Sequence, residues 1–162
     1  MRWLRISPIA EARLDAVLKS WLRTPYAAGS RVRGMGVDCK ELIPGVLDEM
    51  YRKEPSTTRR LAPDSGMRDI RLGLSEIRLL MRQYPDVTIV RDGTVQPGDV
   101  IVTRSSNFLG ATDHPGHAMI AGVRPGEAYH AHPRSGVVKT SIAAAGKPVV
   151  RVYRTGKKGT WS

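Results

Sequence analysis

Residues 116–132 read GHAMIAGVRPGEAYHAH, and how this stretch folds decides the second half of the chain. Apolar residues alternate on either side of a Pro125-Gly126 turn signal, so 117–123 and 127–132 read as two short strands of a hairpin. A two-residue loop at Pro125-Gly126 would set residue 124 opposite 127. His130 would then face Ala121 and His132 would face Met119. Because strand side chains alternate, His117, His130 and His132 would share one face. In that register His132 stands nearer His117 than His130 does. Pro-Gly is not the favoured two-residue hairpin pair, so a longer loop with a shifted register stays open.

Working outward, similar short runs occur on both sides: VTIV (87–90), DVIVTR (99–104), GVVKTSI (136–142) and VVRVY (149–153). Turn signals at Asp92-Gly93, Pro97-Gly98, Ser135-Gly136 and 146–148 separate them. Before residue 87 the period is helical. Residues 8–22 form a helix, with Ser7 as cap, Pro8 at its first position, and Leu14, Val17, Leu18, Trp21 and Leu22 as its apolar stripe. Residues 23–37 are rich in glycine and small residues and read as a loop. A second helix begins at Asp38-Cys39, with Asp38 as cap and Glu41 three residues on, and Pro44 inside it should kink it. A third runs from about Met67 to Tyr84, with Ile70, Leu74, Ile77, Met81 and Tyr84 on one face and Arg68, Arg71, Arg78 and Arg82 on a solvated one. Helices first and strands second predict an α+β fold with a small antiparallel sheet or partly open barrel.

The chain has 162 residues, of which 41% are hydrophobic, enough for one domain with an ordinary core. We expect a single domain over 1–155, with 53–95 as an insertion and 156–162 as a mobile tail. One cysteine excludes an internal disulfide framework. No apolar run approaches the ~18–20 residues of a membrane span. The opening MRWLRISPIAEARL lacks the apolar core, about 7–15 residues long, of a secretory signal, so ordinary export is not expected. The net charge of +11 favours an anionic partner: nucleic acid, a cell surface or an acidic protein. Only 6% of residues are aromatic, which supplies a poor stacking platform for single strands.

The single cysteine stands where a nucleophile would. At a helix start, Cys39 meets the positive end of the helix dipole and free backbone N–H groups, which favour the thiolate. A small buried hydrophobe is the competing reading. All four histidines, His114, His117, His130 and His132, fall between residues 114 and 132. A thiol nucleophile needs a base, and the base needs a third group to fix its tautomer.

These residues carry a resemblance. Trp21-Leu22-Arg23-Thr24-Pro25-Tyr26, Gly29 and Gly36-Val37-Asp38-Cys39 resemble the nucleophile region of the NlpC-type cell-wall peptidases, which are papain-like cysteine peptidases. Gln96-Pro97-Gly98-Asp99 with Val100-Ile101-Val102 resembles that family's PGD strand. Gly116-His117-Ala118-Met119-Ile120 resembles its histidine strand, and Tyr129-His130-Ala131 the strand that carries the third polar residue. The resemblance spans most of residues 20–140. It implies Cys39 as nucleophile, His117 as base and His130 as the residue orienting it, with His132 as the alternative third residue. It also implies that Tyr26 and the Cys39 N–H hold the oxyanion, and it makes Asp38 a contact for a substrate amine as well as a cap. Lys40-Glu41 stand where the family usually has Ser-Gly, as in phage-type members.

The implied reaction is hydrolysis of an amide in the peptide stems of peptidoglycan, with no cofactor or metal. With no signal peptide expected, the implied carrier is a phage or phage-like tail, acting in the periplasm or cell wall, with tail-tip proteins as partners. One rival is an idle NlpC-like plug or adaptor in a tail tip. A second is a zinc site drawn from Asp113, His114, His117, His130 and His132. A third, a basic nucleic-acid-binding module, explains the charge but leaves the order of Cys39, His117 and His130 as coincidence.

Overall fold

The computed structural model describes residues 1–52, 74–84, 86–104, 116–145, 148–156 and 161. Its first helix, α1, spans Pro8–Trp21. The Ser7 hydroxyl accepts the Ala10 N–H at 3.1 Å, capping the end where Pro8 has no donor to waste. Leu14, Val17, Leu18 and Trp21 are buried as the stripe predicts. The second helix, α2, spans Cys39–Arg52 and continues through Pro44. Next to it, Gly45 is an obligatory small residue: a Cβ there would stand 2.7 Å from the Trp21 ring. Pro44-Gly45 therefore sits where α1 lays its tryptophan on α2. The third helix, α3, spans Leu74–Met81 and buries Ile77 and Met81. The expected start near Met67, and most of the expected insertion, lie outside the described residues.

Among the described residues the strands are β1 (Arg2–Trp3), β2 (Arg31–Val32), β3 (Gly36–Val37), β4 (Thr88–Ile89), β5 (Thr94–Val95), β6 (Val100–Arg104), β7 (Gly116–Ala121), β8 (Glu127–His132), β9 (Gly136–Ser141) and β10 (Val149–Arg154). Six make one antiparallel sheet in the order β4-β10-β6-β7-β8-β9. The fold is mixed α+β, and β4 and β9 are the outer strands of this sheet. Alternation builds two cores. Val100, Val102, Ala118, Ile120, Tyr129 and Ala131 join α1 and α2 on one face. Ile101, Met119, Ala121, Ala128 and Val152 form a smaller cluster with Val95 and Ile142 on the other.

Three local features depart from the sequence expectation. The 23–37 segment is not wholly loop: β2 and β3 pair as a ribbon. Charge clamps it to α2, with Arg31 meeting Glu41 and Asp48, and Arg33 paired to Glu49 while lying 5.1 Å over the Trp21 ring. The N-terminus pairs β1 with β5 in parallel. The tail is tied down at Trp161, which is buried; its indole N–H donates to the Thr155 carbonyl at 2.8 Å, and its own carbonyl accepts from Ser7 N–H. A large apolar ring placed late in a polar tail finds a pocket that no local pattern reveals.

Asp99 of the Pro97-Gly98-Asp99 turn is architectural. Both of its oxygens accept from the Arg154 guanidinium, at 3.0 and 2.7 Å, and one also takes the Gln96 N–H. This buried fork ties the start of β6 to β10.

Candidate active site

The site is built where two strands part. β6 stays paired with β7 up to Arg104 and Gly116, and β8 stays paired with β9 up to His132 and Gly136. Between β7 and β8, register pairing covers only Ile120 with Tyr129 and Ala121 with Ala128. Backbone N–H groups alternate in direction along a strand. The Ala121 N–H points towards the β6 side, to Asp99, and the Gly122 N–H points to the β8 side, to Glu127. By that alternation the Ala118 N–H also points to the β8 side, where β8 no longer meets it. The Cys39 sulphur takes it instead.

Cys39 reaches this gap because α2 begins there. Both oxygens of Asp38 are committed to backbone: Oδ1 accepts the Glu41 N–H and Oδ2 the Gly29 N–H, each at 2.7 Å. Asp38 thus caps α2 and ties it to the preceding loop, and burial raises its pKa above the usual carboxylate value. Of the two roles expected for Asp38, the structure displays the cap.

The thiol is 8% exposed. Burial first, and the Asp38 carboxylate second, push it up to about 12, against the N–H groups of Ala118, Cys39 and Lys40, which lower it. This corrects the expectation that the helix start alone would favour a thiolate. Near neutral pH Cys39 is a thiol, and ionising it requires a base that takes the proton.

His117 precedes the residue whose N–H the sulphur accepts. Across the gap its Nε2 lies 2.8 Å from Nδ1 of His130, with the rings 4.8 Å apart and nearly perpendicular. When His117 Nε2 carries the shared hydrogen, its Nδ1 keeps the lone pair of a base.

His132 does something else. Its Nδ1 accepts the N–H groups of Arg134 and Ser135, at 3.1 and 3.2 Å, closing the turn into β9, and its ring is 6.1 Å from that of His130. The two-residue hairpin register is corrected by two positions. The turn spans 123–126, closed by Gly122 N–H to Glu127 O and Glu127 N–H to Arg124 O. A shift by two preserves the faces, so the histidines remain together.

Tyr26 is half-buried against the main core, and its backbone bridges to Val37, two residues before Cys39. Its segment is stitched to the β9 edge: Val137 N–H donates to Thr24 O, and Arg23 N–H to Val137 O. Gly136 makes that approach feasible, with φ +72 and a position where a Cβ would stand 2.3 Å from the Thr24 carbonyl oxygen. Asp113 and His114 of the zinc alternative lie outside the described residues. Among the described residues no three metal-ligating side chains come together.

The residues that sequence reading missed are Ala118 and Ala131. Both are buried and share the core of Cys39. Each follows a histidine, and the repeated His-Ala pair is the signal that could have found them: a small side chain after each imidazole leaves room for the start of α2. No protein-family model matches this chain, and no curated protein matches its sequence.

Proposed function

We propose that the protein is a papain-like, NlpC-type cysteine peptidase that hydrolyses amide bonds in the peptide stems of peptidoglycan. The observation that carries this reading is the convergence of Cys39 on the parting of β7 and β8, with its sulphur at the Ala118 N–H and the His117–His130 pair at 2.8 Å. In the reaction, His117 takes the thiol proton as sulphur attacks the carbonyl carbon. The tetrahedral oxyanion is met by the Cys39 N–H and Tyr26. Collapse breaks the C–N bond, His117 returns the proton to the leaving amine, and a thioester remains. Water activated by His117 then releases the acid and restores the thiol. Carriage in a phage or phage-like tail, for local opening of the wall at infection, rests on the resemblance around Lys40-Glu41.

A second reading has one observation in its favour. A thiol held 8% exposed and pushed up to about 12 suits an idle site in a tail-tip adaptor. Digestion of purified peptidoglycan separates the two. The peptidase releases soluble peptides with new amino ends, while Cys39→Ala and His117→Ala lose at least about 10³-fold in rate and keep a wild-type circular dichroism spectrum. Silence of the wild type on sacculi that a known wall peptidase degrades would leave the adaptor.

A further inference from the structure

We propose that Arg31 is a positioning residue for hydrolysis: by holding the β2–β3 ribbon on α2 it fixes where Tyr26 meets the oxyanion. This inference rests on the cysteine-peptidase reading. Tyr26 and Arg31 belong to one small patch of extended chain with Val37 at its centre. On one side Val37 bridges in parallel to Tyr26; its N–H donates to the Pro25 carbonyl at 3.0 Å and its carbonyl accepts the Ala27 N–H at 3.1 Å. On the other side it pairs with Arg31. Val37 is fully buried and stands two residues before Cys39. These backbone bonds stiffen the patch, so a shift at Arg31 carries through Val37 to Tyr26.

Two arginines clamp the ribbon to α2. Arg33, in the far turn, meets Glu49, ten positions beyond the nucleophile (49 − 39). Arg31 meets Glu41, two positions beyond it, and Asp48. The Arg31 Nε lies 3.6 Å from Glu41 and its Nη1 3.7 Å from Asp48. Those acids are seven residues apart (48 − 41) on one face of the helix, about 10 Å along its axis. Asp48 is itself held by the Tyr84 hydroxyl, which donates to it at 2.9 Å. The three side chains of the clamp are at most 14% exposed, so salt screens it less than a surface pair. A planar guanidinium offers donors to two acids at once, and the single ammonium of a lysine does not span them. An oxyanion donor acts only where the transition state needs it, and a displacement of ~1 Å costs about 10²-fold in rate.

Two readouts on the intact protein separate position from reactivity. Peptide release from purified peptidoglycan needs the oxyanion donor. Alkylation of Cys39 by iodoacetamide, in which sulphur displaces iodide to form a thioether and the thiol proton passes to His117, forms no oxyanion. We expect Arg31→Lys to slow peptide release by about tenfold to thirtyfold and to leave alkylation within about twofold of wild type. Tyr26→Phe alone should cost about 10²-fold in peptide release. Adding Arg31→Lys to it should change that rate by less than about twofold, because a donor that is absent cannot be misplaced. Asp48→Asn releases the other end of the clamp; it should repeat the pattern with a loss of about threefold to tenfold, and it takes the place of Arg31→Lys should that variant not fold. Arg33→Lys, at the far clamp, should lower the denaturation midpoint and keep peptide release within about twofold. Losses that multiply when Arg31→Lys joins Tyr26→Phe, or an equal loss in Arg33→Lys, overturn the positioning role and leave the peptidase reading standing. A wild type that releases no peptide overturns the two together.

Discussion

The two ends of the β7–β8 pair are made of similar residues and do different work. At the turn end, Ile120 lies opposite Tyr129 and Ala121 opposite Ala128, and the backbone closes on itself through Gly122 and Glu127. There the N–H groups of Ala121 and Gly122 are both used in holding the sheet. At the other end the strands separate, and the free N–H of Ala118 is taken by a sulphur from a helix that begins 79 positions earlier in the chain (118 − 39). The side chains of His117 and His130 meet across the gap. A sheet gains a reactive site by giving up part of its ladder, provided another element satisfies the exposed backbone.

Three measurements sharpen or break this contrast, beginning with the largest expected effect. The open end should make Cys39 reactive through His117. At neutral pH, wild-type alkylation by iodoacetamide should exceed that of His117→Ala by about 10²-fold. The variant's rate should climb steadily with pH towards the value of about 12 set by burial and Asp38, because only the small ionised fraction of the thiol then reacts. Coincident pH profiles for the two proteins would show that the imidazole does not serve the thiol.

The closed end should matter for stability instead. Ile120 is fully buried, and Ile120→Ala should cost about 2–5 kcal/mol, read as a fall in denaturation midpoint with the chemistry of the surviving folded protein retained. Ala131→Val, at the open end, should cost a smaller 1–3 kcal/mol or so and also slow Cys39 alkylation, since it crowds the start of α2. Equal effects of both substitutions on alkylation would erase the distinction between the ends.

The smallest effect concerns the two downstream histidines. His130→Ala should reduce hydrolysis by roughly tenfold to a hundredfold, the range of a positioning partner. His132→Ala should cost at most a few-fold and about 1 kcal/mol of stability, because it removes a turn acceptor. The reverse order would transfer the positioning role to His132.

The helix ends and strand runs were legible because their causes are local. Ser7 with Pro8 and Asp38 before Cys39 are readable from side-chain chemistry within one turn of helix, and alternation marks strands wherever one face is buried. The common face of the three histidines also survived, since a two-residue slip in register preserves side-chain direction. The slip itself was not legible, because loop closure at 123–126 is settled by how β8 fits between β7 and β9. The burial of Trp161 was not legible for a similar reason: its partners are Tyr51 of α2 and Thr155, the residue after β10.

By itself the amino-acid sequence determined where α1 and α2 begin, the longer strand runs, and that one thiol would open a helix and three imidazoles would fall on one hairpin, because capping, alternation and turn chemistry act over a few residues. Only the tertiary structure decided that β7 and β8 part, that the Cys39 sulphur fills the gap, and that His130 rather than His132 bonds His117. It also decided that the thiol is pushed up rather than down. Burial and strand divergence depend on packing between residues far apart in the chain, and desolvation of a buried thiol outweighs the favourable field of a helix start.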